Sequence, residues 1–227
     1  DDVKIIFLCS PNNPLGNCLK DKDILRLCGK TKAIVVVDEA YIEFASKKSL
    51  AGAIEKHSNL VVLRTLSKAW GGAGIRLGYA IAGRELIEIL FKIKSPYNVS
   101  VLNQEAAVKI LKNPKNMIKN VKSILRERER VINKLAKLGV HVFPSETNFV
   151  LFKVPKSAEI QKKLQNNGVV IRDRSKEPEL KNALRITIGK RSENDFFLKE
   201  FEKCLKKVAF IDRDGVILFE PQDTFKV

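Results

Sequence analysis

Short β-branched runs alternate with helix-compatible segments through the first third of this 227-residue sequence, and this alternation constrains the fold most. Strands are predicted for residues 4–10, 33–38, 60–65 and 77–82. The gap between Asp38 and Leu60 is long enough for the crossover that joins two parallel strands, which takes about a dozen residues or more. The pattern therefore predicts an α/β fold with a mostly parallel, buried sheet.

The rhythm changes after residue 83 and starts again after Gly139. Helices are predicted for residues 84–94, 98–111 and 115–138, followed by strands at 141–143, 149–154, 169–172 and 184–188 and helices at 157–166 and 192–206. We expect part of a large domain in residues 1–95, linking helices in 96–138 and a smaller α+β C-terminal domain in 139–207.

Charge and composition narrow the class of protein. The net charge of +16 comes mostly from 30 lysines that are spread over nearly every predicted helix, which indicates a solvated surface rather than a nucleic-acid interface. No apolar run approaches the roughly 18 residues that cross a bilayer, and the start lacks a signal-peptide layout. The four cysteines show no C-x-x-C spacing, so we expect no zinc site. A soluble, cytoplasmic chain with reduced thiols is predicted, with neither membrane nor nucleic acid as a partner.

The two ends suggest a piece of a longer protein. The chain opens without a methionine, directly on a strand-like run, and closes without a helix cap or a polar tail. We therefore expect a fragment.

Four short motifs in residues 1–95 combine polar side chains with turns. They are Ser10-Pro11-Asn12-Asn13-Pro14-Leu15-Gly16, Asp38-Glu39-Ala40-Tyr41, Thr65-Leu66-Ser67-Lys68 and Gly74-Ile75-Arg76-Leu77-Gly78. The first three each begin where a predicted parallel strand ends, at the edge of an open α/β sheet where ligands bind. Taken singly, each has an ordinary structural explanation, such as a helix cap, a solvated lysine or a turn. Their conjunction favours one ligand site.

In order, residue type and spacing, the four motifs resemble those of fold-type I pyridoxal-phosphate aminotransferases, over about residues 3 to 206. Residues 170–173, 184–189 and 64–69 are most similar to the histidinol-phosphate aminotransferase branch. The chain departs from the common pattern at Leu15, where the family usually has threonine, and at Gly72, where it has a bulkier residue.

The resemblance implies pyridoxal 5′-phosphate as cofactor and assigns a role to each motif. Lys68 is expected to be the catalytic lysine, which bonds to the cofactor. Asp38 is expected to pair with the protonated ring nitrogen, because a nearby carboxylate favours the charged form. The remaining cofactor-binding candidates are Asn13 and Tyr41 at the phenolic oxygen, and Thr65, Ser67 and Arg76 at the phosphate.

The resemblance also implies a substrate pocket in the smaller domain. Arg185 and Arg172 are expected to bind the acidic group of the substrate, either a phosphate or the glutamate carboxylate, and Asn148 is a further candidate. The alternative for the arginines is a surface ion pair with Asp173 or Glu177. The implied reaction is amino transfer between L-histidinol phosphate and 2-oxoglutarate, by a homodimer acting in histidine biosynthesis.

Two other functions remain open on the sequence alone. A sibling enzyme, either another aminotransferase or a phosphothreonine decarboxylase, would keep Lys68, Asp38 and Arg76 and differ mainly in the substrate pocket. The aminotransferase-like domain of a DNA-binding regulator would carry a helix-turn-helix before residue 1, and the sequence of the tail argues against it.

The tail, residues 208–227, contains an apolar run that ends in Asp212-Arg213-Asp214-Gly215. It resembles the first motif of haloacid-dehalogenase-type phosphatases, and we expect the start of such a domain here. In a complete domain Asp212 and Asp214 would help to hold Mg²⁺. No metal site is expected in the aminotransferase-like part, and the tail lacks the other motifs that an active phosphatase needs.

Overall fold

Two four-stranded sheets organise residues 3–205, the part of the chain that this computed structural model describes. The first contains β1 (Ile5–Cys9), β2 (Ile34–Asp38), β3 (Leu60–Thr65) and β4 (Gly78–Ala82). The strands β1, β2 and β3 are parallel, and β4 pairs antiparallel with β3. The predicted α/β class with a mostly parallel sheet is confirmed.

Different helices make the two crossovers of this sheet. The first is α1 (Asp21–Lys30), which buries Ile24 and Cys28 on the sheet. The second contains the 3₁₀ helices Ile42–Phe44 and Leu50–Lys56 and no α-helix. Strand residues at alternate positions pack with the first helix and the second 3₁₀ helix; they are Val35, Val37, Leu60 and Val62. This period of two is the one expected of a strand that packs a face on helices.

Three helices follow the first sheet. They are α2 (Arg84–Ile93), α3 (Val101–Leu111) and α4 (Pro114–Lys137), close to their predicted bounds. Helix α4 begins with its proline at the first turn, where no amide hydrogen is needed. Its Val121 packs in a cluster with Tyr41 and Phe149, whereas its Val131 and Leu135 belong to the core of the second sheet. One helix therefore contributes to the packing around both sheets, and the division into domains stays a prediction.

The second sheet has the order β5 (His141–Val142), β6 (Phe149–Lys153), β8 (Ala183–Thr187) and β7 (Arg172–Asp173), all antiparallel. Helices α5 (Ser157–Asn166) and α6 (Arg191–Leu205) accompany it. One face packs on α4, α5 and α6 through Val150, Phe152, Leu184 and Ile186. The opposite face carries Phe149, Leu151 and Arg185, because successive side chains alternate across a strand.

The strand predicted at residues 169–172 exists, but its predicted start is wrong. Pairing begins only at Arg172, and the strand covers Arg172–Asp173. Val169 and Ile171 are buried in the core, but the amide of Val169 donates to the carbonyl of Leu164 at the end of α5 (2.8 Å). Apolar residues here close a helix rather than build a strand.

Among residues 3–205, no helix combines the length and the apolar character that would let it cross a membrane.

Arg128, on α4, joins the first unit, which contains the sheet β1–β4, to the second unit, which contains the sheet β5–β8. Its side chain is buried, and Nη1 donates to the carbonyl of Phe44 (3.2 Å) and to that of Thr147 (3.0 Å). Phe44 lies in the first unit, whereas Thr147 precedes β6 in the second. One guanidinium therefore satisfies carbonyl groups from both sides of the junction.

We expect Arg128→Met to lower the free energy of unfolding by about 2 to 4 kcal/mol, because two buried carbonyls lose a charged donor while the apolar stem is kept. Urea denaturation measures this change. The matched control is Arg126→Met, an exposed position on the same helix, where a change within about 0.5 kcal/mol is expected. Equal losses in the two variants would contradict the assigned role.

Candidate active site

The carboxyl ends of the three parallel strands bring the first three motifs to one edge of the first sheet. Cys9, Asp38 and Leu63 are register partners across β1, β2 and β3. The amide of Ser10 donates to the carbonyl of Asp38 (3.0 Å), which holds the start of the first loop against the second strand. The loops that carry Asn13, Tyr41 and Lys68 therefore leave the sheet side by side.

Asp38 and Glu39, two adjacent carboxylates at the end of β2, have different surroundings. The carboxylate of Asp38 accepts from the amide of Ala40 (3.0 Å) and is half-buried at the sheet edge. Glu39 is fully buried and accepts from the hydroxyl of Ser49 (2.5 Å) and the amide of Leu50 (2.8 Å). Glu39 thus anchors the second crossover, and Asp38 stays at the edge of the sheet.

A line of contacts connects the lysine of the first unit to an arginine of the second. The Nζ atom of Lys68, an exposed residue, lies 5.3 Å from the ring centroid of buried Tyr41. The rings of Tyr41 and Phe149 meet edge to face with centroids 5.3 Å apart. The guanidinium carbon of Arg185 lies 4.8 Å from the centroid of the Phe149 ring. The two units therefore face one another across a shared aromatic pair.

Arg185 also reaches the first motif, because its Nη1 donates to Oδ1 of Asn13. Burial is the main cause that lowers the pKa of Arg185 below its usual value, and the positive charges of Arg174 and Arg172 lower it further. Its buried Nε has no hydrogen-bond partner in the described part of the chain. The group is therefore a partly buried cation with an unused donor, which suits an anionic ligand.

The predicted phosphate-binding residues lie in adjoining turns. The hydroxyl of Thr65 accepts from the amide of Ser67 (3.0 Å) and donates to the carbonyl of Leu77 (3.2 Å). Thr65 thus uses its hydroxyl hydrogen on the carbonyl of Leu77 and shapes the turn. Arg76 directly precedes Leu77 in a left-handed conformation (φ 50°), is exposed, and donates to the carbonyl of Ala73 (3.0 Å). The structure thereby brings Ser67 and Arg76 to the same pair of turns.

Gly72 departs from the usual residue type for a packing reason. Its amide donates to the carbonyl of Leu66 (2.8 Å), and a Cβ on Gly72 would lie only 3.0 Å from that same oxygen. Ile110 and Ile75 would be within 3.2 Å of it. In this chain the turn that contains Lys68 is therefore tightly packed at position 72, and a side chain there would require these neighbours to shift.

The remaining candidates lie on the second sheet. Arg172 is exposed and is the direct register partner of Arg185, so both side chains leave the same face. Neither makes an ion pair within residues 3–205, and Glu177 pairs with Arg174 instead (2.5 Å). Asn148 is half-buried between Thr147 and Phe149, and its carbonyl accepts from the amide of Ile188 (2.8 Å). Within residues 3–205, its side chain makes no hydrogen bond with the other site residues.

The sequence did not reveal the residues that dock the two units. The carboxylate of Glu146 accepts from the amide (2.7 Å) and the hydroxyl (2.9 Å) of Ser46, and its amide donates to the carbonyl of Gly16 (2.7 Å). Gly16 has φ 82°, and a Cβ there would lie 3.0 Å from Oγ of Ser145. The glycine of the first motif is thus required by close contact with the second unit. Phe149 was also missed, because it shares a sheet face with Arg185 only through the register of β6 with β8, in which Leu151 pairs with Arg185.

Comparison with known proteins agrees with this geometry. The sequence profile described as "Aminotransferase class I and II" matches residues 1–201. The chain is 43% identical over 204 residues to histidinol-phosphate aminotransferase of Flavobacterium johnsoniae, covering 89% of this chain and 58% of that protein. It is 46% identical over 198 residues to the enzyme of the same name from Parabacteroides distasonis, covering 86% and 57% respectively. The chain therefore spans somewhat more than half the length of these curated relatives.

Solved structures give the same picture. The histidinol-phosphate aminotransferase of Clostridium acetobutylicum superposes with a TM-score of 0.84 at 27% identity, covering 90% of this chain and 64% of that one. L-threonine-O-3-phosphate decarboxylase of Porphyromonas gingivalis gives 0.80 at 32% identity, covering 90% and 65%. The Sinorhizobium meliloti histidinol-phosphate aminotransferase in complex with pyridoxal-5′-phosphate gives 0.80 at 25% identity, covering 88% and 57%. With the profile match across most of its length, the chain belongs to the class I and II aminotransferase family.

Proposed function

We propose that the protein transfers an amino group between L-histidinol phosphate and 2-oxoglutarate, with pyridoxal 5′-phosphate as cofactor. The observation that carries this proposal is the line of contacts from Lys68 through Tyr41 and Phe149 to Arg185. It has an amine from one unit and a partly buried guanidinium from the other on either side of one aromatic pair. Relatives that bear the name of this activity, at 43% and 46% identity, support the same substrate.

The donor set fits the proposed cofactor. Pyridoxal phosphate presents an aldehyde, a basic ring nitrogen, a phenolic oxygen and a phosphate, and the sheet edge offers a partner for each. Lys68 would hold the aldehyde carbon covalently, and the Asp38 carboxylate would face the ring nitrogen. Asn13 and Tyr41 would donate to the phenolic oxygen, and Ser67 and Arg76, with Thr65 shaping their turn, would bind the phosphate.

Pyridoxal phosphate, when bound, draws electrons away from the substrate Cα and makes its hydrogen acidic. The protein's part is to control charge and protons around that carbon. Asp38 would keep the ring nitrogen protonated, since its negative charge stabilises the positive one. Lys68 would take the proton from the substrate Cα as a general base and then, as a general acid, deliver it to C4′ of the cofactor. Tyr41 would keep the Lys68 amine over the site through the ring contact described above.

Arg185 and Arg172 would bind the anionic end of each substrate in turn. Arg185 has an unpartnered, buried Nε within the described residues, and Arg172 stands beside it on the same face. A phosphate carries close to two negative charges and a carboxylate carries one. A phosphate therefore gains more from two guanidiniums than a carboxylate does. This difference would let one pocket accept histidinol phosphate and glutamate with different dependence on Arg172.

A sibling activity is the second candidate. The decarboxylase of L-threonine-O-3-phosphate named above is 32% identical, more than the 27% of the Clostridium acetobutylicum aminotransferase. Both substrates carry an amine and a phosphate, so the same arginines would serve either. Release of carbon dioxide from phosphothreonine, without amino transfer from histidinol phosphate, would select the decarboxylase.

The wider assignments are proposals of the same kind. We propose a homodimer that acts on small molecules in the cytoplasm, without nucleic acid or membrane as partner. We also propose that residues 208–227, which lie outside the described residues, begin a phosphatase-like domain with Asp212 and Asp214. Sedimentation of the purified protein tests the dimer.

Lys68→Ala is expected to lower the turnover of histidinol phosphate with 2-oxoglutarate by about a thousandfold or more, because the proton at Cα loses its general base. Production of glutamate, measured with a coupled dehydrogenase, gives the rate. Lys48→Ala, at an exposed lysine between the two 3₁₀ helices of the second crossover, should keep the parent rate. Turnover in Lys68→Ala comparable to that of Lys48→Ala would refute the assignment of Lys68.

The two arginines should separate the two substrates. Arg172→Ala is expected to raise KM for histidinol phosphate by about ten- to a hundredfold, the cost of one charge-assisted contact, and to change KM for glutamate less. Arg185→Ala should raise both, since the substrates take turns at that group. Arg126→Ala, at an exposed position in the middle of α4, controls for the loss of one positive charge. Equal losses for both substrates in Arg172→Ala would count against histidinol phosphate as the substrate.

A further inference from the structure

A third arginine lies on the face of the second sheet that carries Arg172 and Arg185. The amide of Arg174 donates to the carbonyl of Ala183 (2.9 Å), which continues the pairing of β7 with β8 by one residue beyond Asp173. Because side chains alternate along a strand, Arg172 and Arg174 leave the same face, and Arg185 leaves it from the neighbouring strand. Arg174 is thus the diagonal neighbour of Arg185, within reach of its long side chain.

Arg174 differs from the other two in having a carboxylate partner. Its Nη2 lies 2.5 Å from Oε1 of Glu177, and the two side chains are 27% and 33% exposed. The turn fixes this partner, since the amide of Glu177 donates to the carbonyl of Arg174 (3.1 Å). At its other end, Nε of Arg174 is buried and has no hydrogen-bond partner among residues 3–205.

The positive charge of Arg174 reaches Arg185. After burial, Arg174 is the next largest cause that lowers the pKa of Arg185, ahead of Arg172. Three guanidiniums that repel one another on one face are costly unless an anion joins them. With the one carboxylate of Glu177, the group of Arg172, Arg174, Arg185 and Glu177 carries two net positive charges, which matches the charge of a phosphate ester near neutral pH.

We propose that Arg174 is a specificity-determining residue of the substrate pocket, and that its ion pair with Glu177 sets the preference of this face for a phosphate dianion over a carboxylate. The proposal rests on the function proposed above, in which Arg172 and Arg185 bind the acidic group of the substrate. Arg174 acts through the charge it adds to the face. Glu177 tempers that charge, so that the phosphate product is also released.

Charge variants of the pair make opposite predictions. Arg174→Gln should raise the dissociation constant of inorganic phosphate about three- to tenfold, and Glu177→Gln should lower it by a similar factor, as expected for one charge near a partly hydrated site. Arg174→Lys keeps the charge and should remain within about twofold of the parent. Lys176→Gln removes one exposed positive charge from the same turn and should also change it less than about twofold.

Nuclear magnetic resonance of arginine side chains measures the constant at this site. The Nε–H signals of Arg172, Arg174 and Arg185, assigned by substitution, shift only when phosphate binds near them. These signals therefore distinguish phosphate bound at the three arginines from phosphate bound at Ser67 and Arg76. Arginine signals that stay unchanged up to high phosphate concentration would refute an anion site on this face.

Equal effects of Arg174→Gln and Lys176→Gln would overturn the proposal, and so would weaker phosphate binding in Glu177→Gln. Should Arg174→Gln fold poorly, the tighter binding expected of Glu177→Gln still decides the matter, because a damaged fold does not strengthen binding. Kinetics give a second readout: Arg174→Gln should raise KM for histidinol phosphate more than KM for glutamate. A parent without amino-transfer activity would refute the proposed function, whereas the phosphate titration would still decide the role of Arg174.

Discussion

The edge-to-face contact between Tyr41 and Phe149 is the interaction on which the site depends, because it joins the two sheets at the point where their functional side chains meet. Tyr41 comes from the loop after β2, and Phe149 opens β6. Each ring has a cation on its free side: Lys68 on Tyr41 and Arg185 on Phe149. Moving either ring would change the separation of the amine from the guanidinium.

Buried polar groups hold the sheet edge that presents these loops. Arg64 lies just before Thr65 in β3 and donates to Glu43 (2.7 Å), and it is 3.8 Å from Glu39. Glu39 is the residue after Asp38, and it also binds the start of the second 3₁₀ helix. A buried charge that lost its partner here would be costly, since water cannot replace that partner. The neighbours of Asp38 and Thr65 are therefore tied to one another behind the site.

Much of this could be predicted from the sequence, and the reasons for success and failure are physical. Strand β3 and helix α5 were predicted with their observed bounds, because long apolar runs and helical spacing are local signals. Residues 169–171 were predicted as a strand because burial alone does not distinguish a strand from a chain that closes a helix. The docking of Glu146 on Ser46 joins residues that are 100 positions apart, and no local pattern encodes such a pair. Arg174 was overlooked for a related reason: its proximity to Arg185 follows only from the register of two strands.

The central claim is that Lys68, alone among 30 lysines, is the amine that holds the cofactor. Borohydride reduction of the protein in the presence of pyridoxal phosphate, followed by peptide mass spectrometry, tests it most directly. The account predicts one stoichiometric pyridoxyl label, on the peptide that contains Lys68, and its loss when an excess of amino substrate is added first. A label spread over many lysines, or one concentrated on a lysine other than Lys68, would contradict it.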